Sequence, residues 1–408
     1  MLYLNLAWRN IWRNRRRTII TILSIVVAVI LSSVMRAMQE GQYDDMIENT
    51  VGTFSGYIQI QHSGYWDDQT LDNTLVVSDS LINLIEEEET VRYIIPKLQS
   101  FALAAGEDQS RPAMVMGIDI DKEQYLSNPE ERLITGNYFE SNSEQSVLVG
   151  KEMMERLGVQ LGDSLVVIGQ GFRGQSAAGL YVIKGSLRFP NLEMNKNALM
   201  LPLQTAQELF ATYNRLTSVS IILNDAEKTE ETAQNLREKL STEDYDVMSW
   251  QDMMPELMQS IEADRGSGFI LIIILYIVVG FGILGTVLMM ISERTYEFGV
   301  MISVGTPRGT IFLILAVEIF VLALLGAGCG LLLSIPITWY FNIYPIQITG
   351  DNMVEVMEIY GMEPVIQFAT DPSIFYSQAI IVFIITLIFC VVPLLKASRL
   401  NPVKAMRS

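Results

Sequence analysis

Few of the 408 residues could do covalent or metal chemistry, and their surroundings remove most of those options. His62 is the sole histidine, which excludes most Ser/His and Cys/His nucleophile pairs and His-rich metal sites. Cys329 and Cys390 are the only cysteines, and both lie in long apolar runs, so no disulfide framework is expected. Gly150-Lys151 in "VLVGKEM" is a fragment of a phosphate-binding loop. The earlier glycine of that motif would fall at Gln145, and Lys151 is followed by Glu152 instead of Ser or Thr. The acid pairs Asp44-Asp45 and Asp67-Asp68 carry no weight in so acidic a stretch. Two features remain. Glu318 sits inside an apolar run, as a proton or ion site or as a hydrogen-bonded or snorkelling group. The segment "ERTYEFGVMISVGTPRGT", Glu293 to Thr310, is too apolar for an ordinary wet loop.

The elements that position these features are four apolar runs, Thr18–Met35, Phe269–Ile291, Ile311–Tyr340 and Ile374–Leu395. Each is near or above the roughly 20 residues needed to cross the hydrocarbon core. A secretory signal competes for the first, since Arg9, Arg13, Arg15, Arg16 and Arg17 precede it, but no clear small-x-small cleavage site follows. The expected organisation is a basic segment at 1–17, a span at 18–36, an external domain at 37–265 and spans at 266–292, 311–340 and 374–395. A loop at 293–310 joins the second and third spans, a loop at 341–373 joins the third and fourth, and a basic tail occupies 396–408.

Lys and Arg near the span ends set orientation. The 1–17 segment holds five arginines, the 293–310 loop Arg294 and Arg308, and the tail Lys396, Arg399, Lys404 and Arg407, whereas 341–373 has none. The first three are therefore expected in the cytoplasm, with both termini, and the 37–265 domain outside. That domain carries 38 acids against 16 bases, which argues against nucleic acid as a partner and is most simply a means of keeping it soluble.

Within it the pattern mixes periods. A helix is expected to continue through Arg36–Thr50, followed by a strand at Tyr57–Gln61, a helix at Asp79–Val91, and strands near Ala113–Gly117 and Val147–Val149. Lys151–Leu157 reads as a helix, Gly162-Asp163 as a turn, Leu180–Leu187 and Ala198–Leu201 as strands, and Thr205–Phe210 as a helix. Ser218–Leu223 reads as a strand, Ala226–Leu240 as a polar helix, and Trp250–Ala263 as a helix leading straight into the second span. The expected class is a membrane protein of four transmembrane helices, one before and three after a large mixed α+β extracytoplasmic domain. Gly326 and Gly330 form a GxxxG step, and Gly280, Gly282 and Gly285 cluster on the second span. They serve either packing within the chain or a dimer seam.

Several stretches together resemble the FtsX/MacB-type permeases of ABC transporters, which include the lipoprotein-releasing permeases LolC and LolE. They are "LAWRNIWRNRRRT", "ITGNYF", "VLVGKEMMERLGVQLGDSLVVI", "ALMLPLQTAQELF", "ERTYEFGVMISVGTPRGTI", "VEIFVLALLGAGCG" and "ASRLNPVKAMR". The resemblance covers the whole chain and implies an inner-membrane protein that binds no cofactor itself. ATP and magnesium would bind a separate ABC ATPase subunit, and a second permease copy or paralogue would complete a dimer in the lipid bilayer. It also implies that the 293–310 loop forms a coupling helix docking on that ATPase, whose closure drives the external domain. Glu293, Arg294 and Glu297 would supply polar contacts, Tyr296, Phe298, Val300 and Met301 an apolar face, and Gly305 the helix end. LolC-type permeases carry a proline-containing hook that recruits a periplasmic carrier. Here that position is Gly169–Gly179, "GQGFRGQSAAG", without proline, a departure favouring a LolE-like or MacB-like role. The expected function is release of lipoproteins or similar amphiphiles. Alternatives are export of a drug, peptide or toxin through an adaptor, FtsX-like regulation of cell-wall hydrolases, or, outside the family, a ligand receptor.

Overall fold

A computed structural model describes residues 9, 12–13, 15–189, 192–240, 244–350 and 365–398. Most of the basic start, the last ten residues of the tail and the stretch 351–364 lie outside the described residues. The chain forms two compact units, one of the four long helices, the other of the segment Asp45–Gln259 with Ile348–Pro364.

Among the described residues, four helices are long and apolar enough to cross a membrane. They are Arg15–Ile47, Pro255–Glu293, Arg308–Ile343 and Pro372–Ser398. The first two outrun their apolar stretches furthest, because the largely polar segments Arg36–Ile47 and Pro255–Gly268 continue them as helix. Tyr43 donates a 2.6 Å hydrogen bond to Asp264, and Arg265 pairs with Glu40 at 3.2 Å, which ties the polar extensions of the first two helices together. Near that level Ala369 N–H donates to the Ala37 carbonyl at 2.8 Å. A Cβ on Gly41 would fall 2.6 Å from Ala369 N and 2.7 Å from Gln367 O. Gly41→Val is therefore expected to cost about 1–3 kcal/mol, read as a lower melting temperature of the detergent-solubilised chain.

The described residues of the external unit form twelve strands: β1 Ile58–His62, β2 Leu75–Val76, β3 Val91–Ala105, β4 Ser110–Ile118, β5 Leu133–Gly136, β6 Ser146–Gly150, β7 Ser164–Gln170, β8 Ser176–Leu187, β9 Ala198–Pro202, β10 Arg215–Leu216, β11 Ser218–Leu223 and β12 Tyr245–Ser249. Ten of them follow the order β12-β1-β11-β3-β4-β9-β6-β8-β5, with β7 pairing both β3 and β8. Strands β3, β4, β9, β6, β8 and β7 thereby close a circuit. Alternate residues point into it, and Leu98, Val115, Val149, Leu165, Tyr181 and Leu199 are buried in one cluster. A second core packs Ile58, Ile60, Val219 and Ile221 of the open sheet against Leu81, Ile85 and Leu236.

Strand β3 is the main departure from expectation. The helix expected to reach Val91 ends at Glu86, because Val91 and the apolar run beyond join the sheet. Pro96 is tolerated inside β3 because pairing with β4 begins only at Lys97. At Pro96 one side of the strand lacks a neighbour, as proline requires. The helix expected over Trp250–Ala263 also breaks. Trp250–Met253 stops at Met254, whose φ of −128° and ψ of 60° are not helical, since a residue preceding proline is pushed out of the helical region. Residues Glu48–Ser55 continue the first long helix as a π-helical segment, ended by Gly56 at φ +74°.

Lys97 and Glu123 form a buried ion pair in this unit. The Lys97 ammonium, 2% exposed, lies 3.9 Å from Glu123, which is fully buried. It donates to the Phe54 carbonyl, and Ser127 donates to Glu123 at 2.7 Å. Burial pushes the amine down and the carboxyl up, although each partner opposes the shift of the other. Removing one member strands the other in the interior, so Glu123→Leu is expected to cost about 3–5 kcal/mol. Urea titration followed by tryptophan fluorescence measures it, and Lys97→Met/Glu123→Leu should recover most of the loss.

Candidate functional site

The segment between the second and third long helices forms a short helix, Thr295–Ser303, entered through Arg294. The Phe298 N–H donates to the Arg294 carbonyl at 3.0 Å. At the far end Gly305 adopts φ +103°, a conformation that favours glycine. Its N–H reaches the Ile302 carbonyl and that of Thr306 the Met301 carbonyl, both at 3.0 Å, which satisfies the last turn. Pro307 then sets the start of the third span at Arg308. The expected helix, glycine stop and proline turn are all present.

The short helix has two faces. Phe298 is buried with Met290, Ile291, Ile311 and Leu315, and Met301 and Ile302 pack partly against the same cluster. Phe298 and Met301, expected on the docking face, thus belong wholly or partly to the bundle core, and helical periodicity explains it: 294, 298 and 301–302 share one side. The opposite side exposes Tyr296, Val300 and Val304, with Glu293 and Glu297 beside them. Val304, 82% exposed, completes an i, i+4, i+8 stripe and was not singled out in the sequence, where it reads as part of the turn.

Arg294, expected as a polar docking contact, turns inward. It is 3% exposed and its Nη1 lies 2.9 and 2.7 Å from the two carboxylate oxygens of Glu318, itself 1% exposed. Glu318 thus forms an interhelical ion pair that ties the start of the short helix to the third span. A second pair lies on the outside, where Arg13 meets Glu297 at 2.5 Å. Neither pairing is legible from spacing, because the partners are far apart in sequence.

The span glycines divide. A Cβ on Gly326 would sit 2.7 Å from Ile25, one on Gly330 2.6 Å from Val29, and one on Gly280 2.6 Å from the Phe389 ring. These three pack helices of the same chain. Gly282 and Gly285 face open space.

In the external unit, Gly169–Gly179 is a β7–β8 hairpin whose tip folds back. Phe172 N–H donates to the Phe210 carbonyl at 2.8 Å, and Arg173 N–H to Asp72 at 2.6 Å. No group of three or more His, Cys, Asp or Glu side chains among the described residues could hold a metal ion.

The chain is similar to known proteins along most of its length. The family model described as FtsX-like permease C-terminal matches residues 269–402, and that described as MacB-like periplasmic core domain matches 18–239. The lipoprotein-releasing system transmembrane protein LolC of Xylella fastidiosa (strain 9a5c) is 21% identical over 323 residues, covering 76% of this chain and 76% of that protein. The macrolide export ATP-binding/permease protein MacB of Neisseria meningitidis serogroup A is 22% identical over 418 residues, covering 96% of this chain. The chain spans 58% of that relative's length. Among solved structures, the periplasmic region of MacB from Actinobacillus actinomycetemcomitans superposes with a TM-score of 0.37 at 16% identity, over 53% of this chain and 97% of that one. With four membrane-spanning helices around a mixed α/β domain, and with both family models matching in order along it, this chain belongs to the FtsX/MacB-type family of ABC transporter permeases.

Proposed function

We propose that this chain is a non-catalytic permease subunit that works with an ABC ATPase and transmits the ATPase's closure to its external unit. The observation that carries the reading is the exposed stripe Tyr296–Val300–Val304 on a short helix held from behind by Phe298 and the Arg294–Glu318 pair. An apolar stripe flanked by Glu293 and Glu297 suits a protein groove. The basic termini and the 293–310 loop lie in the cytoplasm, the external unit lies across the inner membrane, and ATP and magnesium bind the partner. A second copy or a paralogue completes the permease in the bilayer, and the open Gly282 and Gly285 positions offer a close-packing seam for it.

Release of a lipoprotein or similar amphiphile from the outer face of the inner membrane is the favoured activity, supported by LolC matching over comparable lengths of both chains. Export of a drug, peptide or toxin through an adaptor is the second reading, supported by MacB matching over nearly all of this chain. The pinned β7–β8 hairpin, folded onto Phe210 and Asp72, speaks against its use as a projecting carrier hook. The test is purification of the tagged chain from its native membrane. Co-purification of a protein with a phosphate-binding loop, and ATP hydrolysis that vanishes when that protein is removed, is expected. Full hydrolysis by the rigorously pure chain overturns the reading.

A further inference from the structure

The external unit contains a cavity of about 290 Å³ between the open sheet and the two segments that lead toward the spans. Gln59, Gln61, Gln99 and Ser218 form its floor on β1, β3 and β11. One wall is Phe54-Ser55, the last residues of the π-helical segment; another is Met253-Met254, at the break before Pro255. The rim carries Trp66 and Phe101, the latter 67% exposed. The volume is near the lower end for small-ligand sites.

Its lining chemistry is unlike the rest of the domain. In a domain of 38 acids and 16 bases, none of the described cavity residues is Asp, Glu, Lys, Arg or His. Three carboxamides there are under-used. The Gln61 side chain, 1% exposed, donates only to the Met248 sulfur among the described residues, at 2.9 Å, and thioether sulfur is a weak acceptor. The side-chain amides of Gln69 and Gln99 have no protein partner among the described residues. Each carboxamide offers a donor and an acceptor, the complement of a peptide unit. The surrounding Phe, Trp and Met side chains supply a soft apolar lining that adapts to varied shapes.

We propose that this cavity binds an uncharged peptide unit bearing one large apolar side chain. The carboxamides of Gln61 and Gln99 meet the peptide N–H and C=O, and Phe54, Phe101, Met253 and Met254 hold the side chain. A charged ligand would lose its hydration with no counter-charge among the described lining residues to replace it. Phe54 is in turn fixed to the sheet by the Lys97 hydrogen bond to its carbonyl, so displacement of either wall against the sheet changes the cavity. That last consequence rests on the transport reading; the binding does not, and it can be measured without an ATPase.

Three blocked forms of one residue, compared at about pH 6 where an α-amino group is protonated, isolate the charge: N-acetyl-phenylalaninamide (neutral), N-acetyl-phenylalanine (anionic) and phenylalaninamide (cationic). Saturation-transfer NMR on the full chain in phosphatidylcholine nanodiscs reads their binding, with empty nanodiscs as the blank. The neutral form is expected to bind, and the charged forms at least about ten-fold more weakly. Gln61→Leu keeps the shape and removes the amide, and should weaken the neutral form several-fold. Phe101→Asp, at an exposed position, puts a charge on the rim and should abolish its signal without lowering the melting temperature. Equal binding of all three forms, a neutral-form signal unchanged in both variants, or no transfer above the blank overturns the proposal. A neutral peptide of five residues and a protein carrying it in an unfolded tail then distinguish a free peptide from a chain segment as the source.

Discussion

Replacing Val300 and Val304 together by Asp is expected to abolish association of the ATPase with this chain while all four spans still insert. Both side chains are exposed on the outer face of the Thr295–Ser303 helix and its end, so their change leaves the bundle core intact. Charging the centre of an apolar contact costs about 1–3 kcal/mol per position, and the pair should therefore lower affinity about 100-fold or more. Val304→Ala, with less truncated area, should weaken binding only a few-fold. Glu297→Lys tests the polar edge. It replaces the 2.5 Å Arg13 contact with like charges, but an exposed pair is worth at most about 1 kcal/mol, so stability should barely change. Gly299→Pro acts differently, because a proline in the helix interior costs about 3 kcal/mol and distorts both faces. Pull-down of the ATPase with each variant, with protease mapping to confirm insertion, measures the series. Normal recovery with Val300→Asp/Val304→Asp would remove the docking role from this helix.

The second large effect concerns the buried pair behind the helix. Glu318→Ala leaves the Arg294 guanidinium, 3% exposed, without its carboxylate, at an expected cost of about 3–5 kcal/mol. Replacing both by Arg294→Met and Glu318→Leu should restore most of the stability, since well-packed apolar residues often substitute for a buried ion pair without loss. Stability and coupling then separate. The double variant is expected to bind the ATPase, but the directional tie between the short helix and the third span is gone, so ATP-driven release or export should fall while hydrolysis continues. Thermal unfolding of the solubilised chain and transport in proteoliposomes read the two effects. Equal stability of Glu318→Ala and wild type would show that the pair contributes nothing to the bundle.

The four spans, the short helix and its Gly305-Thr306-Pro307 stop were legible because each follows from local signals: apolar length, a glycine requirement and a proline. The mixed character of the external unit was legible for the same reason. Strand β3 was not. Its sequence "VRYIIPKLQSFALAA" contains a proline and changes neighbours midway, so no single alternation runs through it. Strand β12 escaped notice because Tyr245–Ser249, "YDVMS", is short and acidic, and only pairing with β1 makes it a strand. At the site, Arg294 and Glu318 each stood out alone, one as a loop charge and one as a costly charge in a span. Their union depends on how two helices pack, which spacing does not encode. Phe298 and Val304 exchanged roles for a related reason: which residues face the core is decided by the rotation of a nine-residue helix, and a sequence that is apolar all round leaves that rotation open.

Photocrosslinking from residue 304 tests the central claim most directly. A benzophenone amino acid placed there in living cells, with the exposed Phe281 of the second span as a control within the bilayer, is expected to capture a protein carrying a phosphate-binding loop from position 304 and not from position 281. Adducts to lipid alone from both positions, or the same protein captured equally from both, would contradict the account.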